Sequence, residues 1–189
     1  VSIVVRGMPV HCEAQAVVDL SVFPARQQRT ETRAVVWHWT GGQGDHARVI
    51  ETLHLRGLSV NFIIGRDGVV YQCCDADRMT AHAGGKHAVL SANPWSVGVE
   101  VCGLGGDGEW WTEPQLAAGK ALMRTLSAAF GLPEHAHPSE RTLSRPTLET
   151  VRGHIGHFHV ASNKRDPGPQ WLAAICPSRS TVTPCEDGP

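Results

Sequence analysis

The chain has 189 residues, 41% of them hydrophobic, and a formal net charge of −1. That length suffices for one domain with a real core, and near-neutrality provides no field to recruit nucleic acid or an anionic membrane. No apolar run approaches the roughly 20 residues of a membrane span, so neither nucleic acid nor membrane is expected as a partner.

Six cysteines are too few for a disulfide-built scaffold of this length. Cys73 and Cys74 are adjacent, so a bridge between them would be strained. Cys176 and Cys185 are close enough along the chain to be joined. Eleven histidines direct attention to metals. Val1-Ser2-Ile3-Val4-Val5 lacks the charged start and long apolar stretch of a secretion signal.

In chain order, Ile3–Val5 reads as a short edge strand and residues 11–32 as a loop-rich approach. Arg33–Thr40 is a β-branched and aromatic strand bounded by Gly41-Gly42. Alternation places Ala34, Val36, His38 and Thr40 on one face, and Val35, Trp37 and Trp39 on the other. Asp45–Arg56 reads as a helix with Val49, Ile50 and Leu53 on one face and Gly57 as its stop. Ser59–Tyr71 is a hairpin turned at Asp67-Gly68. Val97–Cys102 is a strand with its valines on one face and Ser96, Gly98, Glu100 and Cys102 on the other.

The clearest helix begins at Thr112, where Thr112 and Gln115 form a capping box. Leu116, Met123, Leu126 and Phe130 form its buried stripe, and Gly131 and Pro133 end it. Residues 132–147 read as a surface loop, Leu148–His154 as a helix, and Gln170–Ile175 as a last turn or two. The tail after Pro177 is polar and expected to be mobile. The whole is expected to be α/β: a single domain with a central mixed β-sheet flanked by helices. Its expected divisions are an N-terminal segment packed on the domain (1–32), a catalytic domain (33–176) and a polar tail (177–189).

The chemistry concentrates in Gly156-His157-Phe158-His159-Val160-Ala161-Ser162-Asn163-Lys164-Arg165-Asp166-Pro167-Gly168-Pro169. Two imidazoles and one carboxylate, with a position left for water, make a hydrolytic zinc site. His38, near the end of a central strand, supplies one imidazole; its plainer reading is a buried histidine bonded to a carbonyl. For the second, His154, His157 and His159 are all candidates. His157 is preferred because Lys164 and Asp166 follow it after a compact loop, with His154 as runner-up. Asp166 precedes proline, which restricts its backbone; its plainer reading is a turn-initiating aspartate, and that of Lys164 a solvated surface lysine. Glu100 interrupts an apolar strand, where desolvation would raise its pKa toward a general base's range.

At these residues the chain resembles the zinc-dependent N-acetylmuramoyl-L-alanine amidases, the amidase-2 or peptidoglycan recognition protein superfamily. Matching stretches are Trp37-His38-Trp39-Thr40, Ser59 through Gly68, Ala81-His82-Ala83-Gly84, Asn93 through Glu100 and Gly156 through Pro169, in the family's order and spanning roughly residues 33–172. The resemblance implies that His38, His157 and Asp166 hold Zn²⁺ and that Lys164 stabilises the tetrahedral intermediate. It matches Glu100 to the catalytic glutamate of the cytoplasmic muropeptide amidases. Val60 stands where other members have a tyrosine, Asn61 where many have histidine, and Ala81 where an aromatic is common.

The expected reaction is hydrolysis of the amide between N-acetylmuramic acid and L-alanine in peptidoglycan or a muropeptide, by a monomer, in wall lysis or turnover. A single-domain phage lysin is the favoured setting. His82, Asn93, Trp95 and Trp39 are candidate substrate contacts, with core packing the favoured role for the tryptophans, and Trp110-Trp111 are either a sugar platform or a packing pair. A non-catalytic binding module of the same fold is the alternative. An unrelated metallopeptidase is a third reading, disfavoured by the lack of a His-Glu-x-x-His helix.

Overall fold

A computed structural model describes residues 1–24, 27–106 and 108–177. The chain opens with β1 (Ser2–Val5) and β2 (Met8–His11), an antiparallel ribbon turned at Arg6-Gly7, where φ is 54° and 72°. Ile3 and Val5 point into the main core. The Arg6 and Gly7 amides donate to the Asp75 carboxylate, and the Gln72 amide bonds both the N–H and the carbonyl of Val4. The ribbon is therefore a separate two-stranded sheet, not the edge of the main one as expected for Ile3–Val5.

That edge is β3 (Val17–Asp19), inside the segment expected to be loop. β4 (Ala34–Trp39) follows, then α1 (His46–Leu55), whose N-terminus is capped by the Asp45 carboxylate accepting from the Arg48 N–H at 3.0 Å. β5 (Phe62–Ile64) and β6 (Val70–Gln72) form the expected hairpin, and β7 (Ser96–Val101) the expected strand. α2 (Glu113–Phe130) carries the Thr112/Gln115 capping box and ends at Gly131 in the left-handed region, φ 62°. Of its expected stripe, Met123 and Leu126 are buried, while Leu116 and Phe130 are half-buried against the core.

α3 (Arg145–Thr150) is capped by Ser144 with Pro146 in its first turn. The chain then enters β8 (Gly153–Gly156), α4 (His157–Val160) and α5 (Pro169–Ile175). The helix expected over Leu148–His154 is corrected here. It starts earlier, at its Ser144 cap, and its end gives way to a strand that pairs in parallel with β4. The tail and Cys185 lie outside the described residues, and among the described residues every cysteine is a free thiol.

The six-stranded sheet runs β3-β6-β5-β7-β4-β8, with only β5–β6 antiparallel. One face, carrying Val35, Trp37, Phe62, Ile64, Val97, Val99 and Val101, packs on α2 and α5. The other face carries two smaller apolar clusters. Ala34, Val36 and Ile155 pack with Trp95 and Leu148, while Ile63 and Cys102 pack under Val49 and Leu53 of α1. His38 and Glu100 belong to this second face, beyond Val36 and between the clusters. The sheet is thus mixed and covered on both faces, as expected.

Candidate active site

Parallel strands present their carboxyl ends together, and that edge is where α/β sheets commonly bind ligands. β4 and β7 are in register with His38 beside Glu100, on strands about 4.8 Å apart. β8 pairs with β4 up to Trp37–Gly156. One residue further along each strand come His38 and His157, so the two imidazoles emerge side by side; their ring centroids are 4.5 Å apart. The chain turns at 161–164, where the Lys164 N–H donates to the Ala161 carbonyl at 3.1 Å, and returns so that the Phe158 N–H donates to the Asp166 carbonyl. Gly156 permits this return: a Cβ there would lie 2.4 Å from Phe158 and 2.9 Å from Pro167.

Three atoms converge as a result. His38 Nδ1 lies 3.1 Å from both His157 Nδ1 and Asp166 Oδ2, and His157 Nδ1 lies 3.0 Å from the same Oδ2. No placement of protons satisfies all three contacts. If both imidazoles donate to the carboxylate, two N–H groups confront each other; if one donates to the other, a lone pair confronts the carboxylate. A cation shared by three lone pairs removes the conflict. A tetrahedral divalent ion with bonds of about 2.0–2.1 Å would set such donors about 3.3 Å apart. Among the described residues this is the one group of three or more metal-ligating side chains so gathered.

Burial, reinforced by His157, pushes the His38 imidazole down to about 4, so it stays neutral with a lone pair to offer. Burial alone would raise the Asp166 carboxyl. The contacts with His157 and His38 outweigh it and hold the group well below the usual carboxylate range.

The three atoms line a cavity of about 330 Å³, together with Glu100, Lys164, His82, Trp39, Arg48 of α1 and Arg56 just beyond its end. Glu100 is half-buried, and its Oε2 is enclosed without a hydrogen-bond partner among the described residues. Burial, then the negative charge of Asp166, raises its pKa well above the ordinary value. A raised carboxyl pKa is what a residue that must both take and give a proton requires.

His154 lies on the opposite face of the sheet. It alternates with Ile155, so its ring joins the core beside Trp37. The Trp37 indole N–H donates to its Nδ1 at 3.1 Å, and its Nε2 bonds the Ser127 hydroxyl at 2.8 Å. His159 is turned away too: its Nδ1 accepts from the Gly156 N–H, and its Nε2 donates to the Ser139 carbonyl. The helical turn of α4 separates His159 from His157.

The remaining expected substrate contacts are placed otherwise. Asn93 Oδ1 accepts from the His82 and Ala83 N–H groups, at 3.0 and 2.7 Å, and so braces a loop. Trp95 is a core residue under the Arg33 guanidinium, 4.8 Å from its ring. Neither lines the cavity: Asn93 departs from the expected substrate contact, while Trp95 takes the packing role favoured for the tryptophans. His82 lines it from behind His38. Asn61 is also structural: fully buried, it bonds the carbonyls of Asp75 and Arg78, the Thr80 hydroxyl and the Gly98 N–H. Trp110 and Trp111 pack against each other and Trp171, and Trp110 also meets Trp39 edge-on. That is the arrangement of a packing pair.

Burial pushes His154 down to about 3 and His159 to about 4, against an ordinary 6.5. The unfolded chain therefore binds more protons between those values, and stability falls as pH drops from about 6.5 to 3. Denaturant titrations of metal-free protein from about pH 7 to pH 4 should show that loss. His154→Ala leaves the Trp37 N–H and the Ser127 hydroxyl oxygen without their partner and opens a cavity. It is expected to cost about 2–4 kcal/mol in an unfolding titration, with metal affinity of the folded fraction unchanged.

Comparison with known proteins identifies the family and similar folds. The family model for N-acetylmuramoyl-L-alanine amidase (Amidase_2) matches residues 28–169. Among curated proteins no significant match is found. The fold is similar to that of the endolysin N-acetylmuramoyl-L-alanine amidase LysCS from Clostridium intestinale URNW, with TM-score 0.60 and 20% identity over 84% of this chain and 90% of that one. It is similar also to the ectodomains of the peptidoglycan recognition proteins LCa and LCx bound to tracheal cytotoxin, with TM-score 0.58, 20% identity, and 84% and 93% covered. A third likeness is to the amidase AmiD from E. coli in complex with an anhydro-muramoyl peptide, with TM-score 0.54, 20% identity, and 80% and 60% covered. With most of its length inside the family model, the chain belongs to the N-acetylmuramoyl-L-alanine amidase family.

Proposed function

We propose that this protein is a zinc-dependent hydrolase of the amide joining the lactyl group of N-acetylmuramic acid to L-alanine in peptidoglycan. The observation that carries this reading is the meeting of His38 Nδ1, His157 Nδ1 and Asp166 Oδ2 on a cavity lined also by Glu100 and Lys164. Two neutral imidazoles and one carboxylate suit Zn²⁺ and leave a net local charge of about +1. Zinc bound there supplies Lewis acidity and lowers the pKa of water to about 7.

Glu100 takes a proton from the attacking water and passes it to the alanine nitrogen as the carbon–nitrogen bond breaks. Its raised pKa suits it to both directions of transfer. Lys164, which also lines the cavity, would stabilise the charge gained by the carbonyl oxygen; removing one such contact commonly costs about 10²–10³ in rate. His38 and His157, fixed by burial, need no rearrangement to serve as ligands. The products are a free stem peptide and an unsubstituted sugar. The protein acts as a monomer in cell-wall lysis or turnover.

The test is mass spectrometry of purified wall sacculi treated with the protein. Stem peptides bearing a free L-alanine amino terminus should be released, chelator should abolish the release, and added zinc should restore it. Binding to sacculi without release, with zinc present, would favour a recognition module of the same fold.

A further inference from the structure

His82 stands behind His38, buried, with the two rings edge to face and their centroids 5.3 Å apart. Its Nδ1 lies 3.1 Å from His38 Nε2, and its Nε2 lies 3.3 Å from Ser96 Oγ. Ser96 Oγ lies 2.6 Å from the Ala92 carbonyl oxygen. These contacts have a direction. A carbonyl only accepts, so the single Ser96 proton points to Ala92. The Ser96 oxygen must then accept from His82 Nε2–H. Neutral His82 is left with a lone pair on Nδ1, which accepts from His38 Nε2–H. The lone pair of His38 is thereby set on Nδ1, the atom that faces His157 and Asp166.

The surroundings hold this chain in place. Asn93 pins the backbone of His82. Gly98 admits the ring, since a Cβ there would lie 2.6 Å from His82 Cγ. The ring's two nitrogens are both engaged inside the wall, which leaves neither to hold a substrate.

We propose that His82 is a positioning residue, which with Ser96 fixes the tautomer and ring orientation of His38 for metal binding. The inference rests on the zinc reading above. It accounts for an imidazole and a hydroxyl that the hydrolytic steps do not use. Hydrogen-bond partners of a ligating histidine are commonly worth 10–100-fold in metal affinity.

The test compares wild-type protein with His82→Phe, His82→Gln and Ser96→Ala. Zinc affinity is measured by competition with a chromophoric chelator, and the ligand field from the visible spectrum of the cobalt-substituted protein. Unfolding of metal-free protein, and KM and kcat at saturating zinc, are followed alongside. His82→Phe keeps ring volume but offers no acceptor; its zinc affinity should fall about 10–100-fold, with an altered cobalt spectrum and an unchanged KM. His82→Gln, whose carbonyl can accept from His38, should recover part of the loss. Ser96→Ala frees His82 to reverse its tautomer, so its affinity should fall several-fold. It removes one oxygen only, and keeps the test available if His82→Phe does not fold.

Wild-type zinc affinity in both His82→Phe and Ser96→Ala would overturn the proposal. In that case a raised KM would make His82 a substrate contact, and a lowered unfolding midpoint alone would make it a packing residue. Failure of wild-type protein itself to bind zinc would instead defeat the zinc reading, and this inference with it.

Discussion

Glu100→Gln is expected to keep its zinc and to lose about 10²–10⁴ of its turnover. Glutamine matches glutamate in shape, so the strand, the cavity and the three donor atoms are undisturbed. What it lacks is a site for a proton in transit. Glu100 is suited to that role by placement: it sits beside His38 in register, on the face of β7 opposite its valines, with Oε2 enclosed and unpartnered. A buried carboxylate oxygen without a hydrogen bond is costly, and the charges of Lys164 and Arg56 offset that cost only in part. Release of stem peptide from sacculi, measured with the zinc content of the same sample, checks this. A variant with full zinc and wild-type turnover would assign the base elsewhere.

The second large effect concerns the donors themselves. His157→Ala and Asp166→Ala should each lose stoichiometric zinc and bring activity to background. Both remove a direct ligand, so affinity should fall by more than the roughly 100-fold upper end for supporting residues. His154→Ala should retain zinc. Zinc per protein after dialysis against a weak chelator separates the cases. Zinc lost from His154→Ala and retained by His157→Ala would reverse the choice of ligand.

Much of this arrangement was legible in the residues. The alternation of Ala34–Thr40 already separates His38 from Trp37, and the valines of β7 separate Glu100 from the core. Both parities hold because each strand is buried on both faces, so a slip of one residue would exchange a charge for a valine. The Thr112 capping box and the Asp67-Gly68 turn are local chemistry, and both appear in the structure.

What was not legible depends on partners distant in sequence. Residues 153–156 hold two glycines and a histidine, a weak strand signal, and become a strand by pairing with β4. Had that strand been recognised, alternation with Ile155 would have removed His154 from contention. β3 is three residues long and exists by its pairing with β6. The N-terminal ribbon carries Pro9 within a strand and turns on a non-glycine residue at positive φ, so its signals were diluted. Asn93 and Trp95 neighbour functional residues along the chain, but only the fold shows that one braces a loop and the other fills the core. His82 stands out in the sequence within Ala81-His82-Ala83-Gly84. Its place behind His38, rather than in front of substrate, needed three-dimensional contacts.

The central claim is that one divalent ion is held in common by His38, His157 and Asp166. Its most direct test is a crystal of the zinc-loaded protein, with anomalous difference maps from data above and below the zinc absorption edge. The expected result is a single strong peak about 2.0–2.2 Å from His38 Nδ1, His157 Nδ1 and Asp166 Oδ2. A zinc peak elsewhere, with these three side chains bonded only to one another, would contradict it.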